Sequence, residues 1–179
     1  MSEPPASGRP PPGRVLIRTA GIEDAEAMAA FLADLYADPD LDTIARRAPP
    51  TPEEERGVIR RAASLPNAFF LLAWADRELV GMLDLWASEQ AEYRHSGRLG
   101  MSVARAWRGR GVGAALMAEA IRRARTWEGF CRIELEVAAW NTRGIALYER
   151  AGFRHEARRT KGINLRGAPE DSLLMALVW

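Results

Sequence analysis

Residues 108–117, RGRGVGAALM, place three glycines and two arginines within six positions, ahead of an alanine-rich apolar run. A helix N-terminus exposes backbone N–H groups that have no internal acceptor, and the peptide dipoles add partial positive charge there. Glycines before such a helix let an anion reach the backbone without meeting a β-carbon. Arg108 and Arg110 add charge-assisted bonds to the same or a neighbouring phosphate. A tight turn with solvated arginines is the other reading of the same residues. Two further groups have spacings fit for proton chemistry. Glu134 and Glu136 alternate with Ile133, Leu135 and Val137, which puts both carboxylates on one face of a strand. Tyr148 follows Asn141 by seven residues, two helical turns, so its phenol lies on the side of the helix's opening residue.

The elements that must hold these groups are legible in outline. Ile22, Ala25, Met28, Ala29, Leu32 and Leu35 or Tyr36 recur at three and four, which predicts a helix over residues 22–37. TPEEE then offers Thr51 as N-cap, Pro52 at the first helical position and Glu54 as the capping-box partner. The intervening ADPDLDTIARRAPP reads as a loop. AFFLLAWA and LVGMLDLWA, separated by Asp76, Arg77 and Glu78, predict a hairpin of central strands, and another strand lies near RLGMSVA. Past the glycines, Val112, Leu116, Ile121 and Ala124 line one helix face, with Glu119, Arg122, Arg123 and Arg125 on the other. RIELEV predicts a strand, NTRGIALYERAGF a short helix ended by Gly152, and DSLLMALVW a final strand. Hairpin strands followed by alternating strands and helices give a mixed α/β sheet.

Composition narrows the function classes. The chain has 179 residues, 47% of them hydrophobic, and a formal net charge of +1. That predicts one domain over 14–179 after a disordered proline-rich tail at 1–13, with no global reason to expect nucleic acid or an acidic membrane. Cys131 is the single cysteine, so an internal disulfide and a cysteine metal cluster are excluded and a reducing, cytoplasmic setting is expected. No run approaches the ~20 apolar residues of a membrane span. Arg122, Arg123 and Arg125 lack interleaved aromatics and read as a solvated face. A Walker loop is absent. Gly109, Gly111 and Ala114 satisfy G-x-G-x-x-A, but Ala104 to Arg108 separate them from the apolar MSV, and about sixty residues leave no room for paired βαβ halves.

Taken together, residues 99–153 resemble the GNAT superfamily of N-acetyltransferases. The family's [Q/R]-x-x-G-x-[G/A] signature matches Arg108, Gly111 and Gly113. Its N-x-x-A-x-x-x-Y-x-x-x-G-F helix matches Asn141, Tyr148, Gly152 and Phe153, with the alanine displaced to Ala146. Within the family the sequence is most similar to amino-acid N-acetyltransferases and those acting on ribosomal-protein N-termini. The resemblance implies a mixed, largely antiparallel sheet of about six or seven strands, flanked by about four helices, with a splayed pair of central strands. It implies acetyl-CoA as cosubstrate and no metal. The pyrophosphate is expected on the amides of Gly109, Arg110, Gly111, Val112, Gly113 and Ala114, and the pantetheine arm along Met101, Ser102 and Val103 as an added strand. Asn141 and Tyr148 complete the expected cofactor set. Arg105 stands where many relatives carry proline.

The implied reaction is attack of an amine on the acetyl carbonyl, with an oxyanion held by a β-strand N–H of Met101–Val103 and a proton delivered to sulfur. The resemblance assigns that proton to Tyr148 and the base, through water, to Glu136, five residues before Asn141. His95 ranks second as base and Glu89 third; pairing with an arginine is the structural alternative for these carboxylates. An α-amine of pKa ~7.7 is neutral about one time in six at pH 7, a lysine of ~10.4 about once in 2,500, which favours small amines or N-termini as acceptor. Asp38, Asp40 and Asp42 are candidates to attract a cation, and Arg158, Arg159 and Lys161, in a loop before the last strand, a carboxylate. Solvated surface is the plainer reading of both runs. A non-catalytic acetyl-CoA sensor of the same fold is the alternative function; a homodimer is left open.

Overall fold

The computed structural model describes residues 15–38, 48–165 and 168–179. The proline-rich tail and residues 39–47, including Asp40 and Asp42, lie outside them. Seven strands form one sheet: β1 (Val15–Thr19), β2 (Ala68–Ala75), β3 (Glu78–Ala87), β4 (Ser96–Val103), β5 (Arg132–Ala138), β6 (Arg154–Leu165) and β7 (Ala168–Val178). Their order is β1-β2-β3-β4-β5-β7-β6, and every neighbouring pair is antiparallel except β4 with β5. Four helices, α1 (Ala25–Ala37), α2 (Pro52–Ser64), α3 (Val112–Ala124) and α4 (Thr142–Arg150), complete a mixed α/β fold.

The sheet separates two apolar layers. On one face Met28, Phe31 and Leu35 of α1 and Ile59 and Ala62 of α2 meet Phe70, Leu72 and Met82. On the other, Val112, Leu116, Met117 and Ala120 of α3 cover Leu71, Leu83, Leu85, Ile133 and Leu135. Period-two alternation in the strands and the 3.6-residue stripe of the helices therefore feed the same two layers. The capping box at Thr51 is formed: Glu54 N–H donates to Thr51 Oγ1 at 3.3 Å and Thr51 N–H to Glu54 Oε2 at 2.7 Å.

Three sequence expectations change. The hairpin turn is Asp76–Arg77 alone, with Asp76 at φ 52°, and Glu78 already opens β3. The five-residue edge strand β1, whose apolar run is only Val15, Leu16 and Ile17, is not among the predicted elements. The stretch containing Arg158, Arg159 and Lys161 is not a loop but the edge strand β6. Its sequence is polar on both faces and its register shifts twice against β7, with Lys161 at φ 52°, so periodicity does not reveal it.

The central feature is where β4 and β5 part. They pair only through Ser96–Arg132, Gly97–Ile133 and Arg98–Glu134. From Leu99 onward β4 keeps β3 as partner while its β5-facing edge pairs with no strand among the described residues. Helix α3 starts over this gap, and its seat is tight. A β-carbon added at Gly81 of β3 meets Leu116 Cδ1 at 3.0 Å and Val112 Cγ1 at 3.1 Å. Gly81→Val is accordingly expected to cost about 1–3 kcal/mol through overpacking, read as a lower urea midpoint with unchanged slope; an unaltered midpoint contradicts this packing.

Candidate active site

The glycines of RGRGVG serve two distinct needs. Gly109 and Gly111 hold φ of 73° and 86°, the left-handed region that glycine occupies without strain, and Gly111 is the N-cap of α3. Gly113 has ordinary helical geometry, and its missing side chain leaves open the space between Met101 and Leu147. The turn frees its donors. Ala115 N–H is the first to find a backbone acceptor, Gly111 O at 3.0 Å; among the described residues the N–H groups of Gly109–Ala114 have no protein acceptor. Six consecutive donors at a helix N-terminus form an anion cradle.

A cavity of about 260 Å³ runs beneath this cradle, lined by Met101, Ser102, Val103, Gly109, Gly111, Gly113, Ala114, Asn141 and Tyr148. The structure thus brings most of the sequence-selected residues to one channel in the β4–β5 gap, which fits a phosphate-bearing, peptide-like arm. Arg143, Leu147 and Arg150, at helical spacing on α4, also line it, as do Leu35 and Trp107. These five escape a motif-based reading because no signature names them.

Arg108 lines the same channel and is also anchored to the protein. Its Nε donates to Val103 O at 3.1 Å and its Nη2 lies 2.8 Å from Asp38 Oδ2, with both side chains largely buried. It ties the end of α1 and the exit of β4 to the glycine turn. Arg110 instead lies 5.2 Å above the Trp107 ring, and its Nε is buried without an acceptor among the described residues. Asn141 caps α4 by accepting from Gly144 N–H at 2.8 Å; a β-carbon at Gly144 would collide with that side chain.

Tyr148 is buried in the channel wall, and desolvation pushes its phenol up to about 12. It therefore stays protonated at neutral pH. The carboxylates are less uniform. Glu136 lines neither large cavity; Arg159 Nη1 sits 3.0 Å from Oε1, Ser172 Oγ donates to the same oxygen, and Arg98 Nη2 is 3.7 Å from Oε2. Glu134 pairs with Arg132 and Arg158 with Asp171. Glu89 pairs with Arg61 at 2.6 Å, and His95 is exposed ahead of β4.

A second cavity of about 550 Å³ opens on the α1–α2 face of the same gap. It shares Leu35, Met101 and Ser102 with the first. Asp84 of β3 stands in its wall, accepting from Trp86 Nε1 at 3.0 Å. Burial is the largest cause raising its carboxyl to about 6, partly offset by that indole bond and assisted by the nearby Glu55 charge. Sequence reading missed it, because one aspartate inside an apolar strand carries no spacing signal.

Two stability tests follow from these contacts. Asp84 titrates higher folded than unfolded, so its contribution is fully present below the unfolded value and is lost as pH rises through about 6. Asp84→Asn is expected to be more stable than the parent at pH 7, by on the order of 2 kcal/mol, and equal to it in strong acid; equal melting at both pH values refutes the burial. Asp38→Ala removes the carboxylate that faces both Arg108 and Arg105 and is expected to cost about 3 kcal/mol, with a non-additive double variant alongside Arg108→Leu.

Comparison with known proteins agrees with this architecture. Residues 29–153 match the Acetyltransferase (GNAT) family. The chain is 30% identical over 164 residues to L-amino acid N-acetyltransferase AaaT of Escherichia coli (strain K12), covering 92% of this chain and 98% of that protein. The crystal structure of an acetyltransferase of the GNAT family from Streptococcus pneumoniae has a TM-score of 0.86 at 28% identity, covering 92% and 99% of the two chains. Ribosomal-protein-alanine N-acetyltransferase from Brucella melitensis has a TM-score of 0.82 at 25% identity, with the same coverage. A cradle of six unengaged amides above a strand gap, together with a family match over most of the chain, makes this protein a member of the GNAT family of acetyltransferases.

Proposed function

We propose that this acetyltransferase moves the acetyl group of acetyl-CoA directly to a primary amine, an amino acid or a protein N-terminus. The acceptor classes are those named for the Escherichia coli and Brucella melitensis relatives. The observation that carries the reading is the amide run Gly109–Ala114, unengaged by the protein and open to the channel that also holds Tyr148. Acetyl-CoA supplies an activated thioester when bound.

The protein's part divides among named groups. The amides of 109–114 hold the diphosphate, and the β5-facing edge of Met101–Val103 accepts the amide-bearing arm as a further strand. An N–H of that edge faces the acetyl oxygen, where a fixed dipole needs no reorganisation as charge develops. Tyr148 donates its proton to the departing sulfur. With the phenol at about 12 against ~8.5 for a thiol, complete transfer is uphill by about 5 kcal/mol. Tyr148 therefore acts chiefly by hydrogen bonding while the C–S bond breaks, and yields its proton late.

Family resemblance offers Glu136, acting through water, as one candidate for the base. Its carboxylate must then be shared with Arg159 and Ser172. Thiol release from acetyl-CoA across an amine panel, with CoA-induced thermal shift alongside, tests the reading. Tyr148→Phe is expected to lower kcat roughly 100-fold with little change in CoA affinity; unchanged turnover rejects its role. Thermal shift without turnover in the parent chain points to the acetyl-CoA sensor.

A further inference from the structure

We infer that Asp84, seated beneath Trp86 in the second cavity, binds the acceptor's ammonium group and takes its proton before attack. This rests on the acetyl-transfer reading above. Three observations on the page carry it.

The first is position. Asp84 pairs in register with Gly100 on β4, one residue before Met101, where the channel and the second cavity share their wall. A β-carbon at Gly100 would lie 2.7 Å from Asp84 Oδ1, so the carboxylate rests directly on the strand at the mouth of the gap. An amine bound there approaches the thioester from the face opposite α3, while the cofactor channel occupies the other.

The second is charge. Among the described residues Asp84 receives one side-chain hydrogen bond, from the neutral Trp86 indole. The groups facing the same cavity are Glu55 and Arg61 from α2, Tyr36 from α1, and Glu89 from the turn after β3. Arg61 is directed to Glu89 at 2.6 Å and stacks 5.8 Å over the Trp86 ring. Arg98, opposite Trp86 on β4, turns toward Glu136. No arginine of this set is paired with Asp84, and Glu55 adds a like charge; a cationic guest completes the site.

The third is chemistry. The Asp84 carboxyl lies near 6, so it is ionised at neutral pH and still basic enough to accept. Against that value, proton transfer from an α-amine of pKa ~7.7 is disfavoured about 50-fold, and from a lysine of ~10.4 about 25,000-fold. The site thus selects α-amines over lysine side chains. The proton ledger closes. The ammonium proton passes to Asp84, and the freed nitrogen pair forms the N–C bond as C–S breaks. Sulfur takes the Tyr148 proton, the phenolate recovers one from the new amide nitrogen, and Asp84 returns its own to solvent.

The test measures kcat/KM for L-amino acids against pH by thiol release, on the full chain, with CoA thermal shift as companion. The parent is expected to show a rising limb centred near pH 6. Asp84→Asn should lose about 100-fold together with that limb, and keep the CoA shift. Glu55→Gln should move the limb to lower pH, because one like charge is removed; this readout decides the matter even if Asp84→Asn fails to fold. Activity within about threefold of the parent in Asp84→Asn, with an unmoved limb in Glu55→Gln, overturns Asp84 and leaves acetyl transfer standing. A loss confined to Glu136→Gln gives the base role to Glu136 instead. A parent chain with a CoA shift but no thiol release, or with neither, overturns the inference together with the reading beneath it.

Discussion

Strands β4 and β5 pair through three residues and then diverge, and nearly everything functional in this molecule follows from that divergence. Parallel neighbours in mid-sheet normally saturate each other's backbone donors and acceptors. Here the parting leaves one edge of β4 able to accept a foreign strand, and it does so at the centre of the fold, where both layers of helices are near. The glycine turn is the second half of the arrangement. Left-handed geometry at Gly109 and Gly111 swings the first amides of α3 away from internal acceptors and toward the gap.

The gap is open on both faces of the sheet, and the two openings differ in chemistry. Toward α3 and α4 the lining is backbone amide, glycine and a protonated phenol, suited to a diphosphate and a thioester. Toward α1 and α2 it is aromatic and acidic, with Asp84, Glu55 and Trp86. Met101 and Ser102 alternate between the faces, so a single strand contributes to the wall of both openings. Cys131, just before β5, lines neither opening.

Much of this was readable in the sequence, and the failures have physical causes. Helices α1 to α4 announced themselves through periodicity and caps, because their apolar stripes repeat strongly and Thr51, Gly111 and Asn141 mark their beginnings. The hairpin β2–β3 was equally plain from two apolar runs around Asp76. Edge strands β1 and β6 were silent: neither buries a continuous face, and β6 carries charge on both sides. The glycine turn and Tyr148 were found because their spacing is local. Asp84 was not, since its setting depends on Gly100, Trp86 and Glu55, residues joined only by sheet register and by the packing of α2. Arg108 teaches the converse. Its place in a signature implies a ligand contact and says nothing of Asp38, the partner that tertiary structure adds at the channel wall.

That ion pair has a mechanical corollary. Leu35, near the C-terminus of α1, borders both openings, and Asp38, which follows that helix, grips the arginine that leads into the glycine turn. One buried carboxylate therefore fastens the helix that walls both chambers to the turn that roofs one of them.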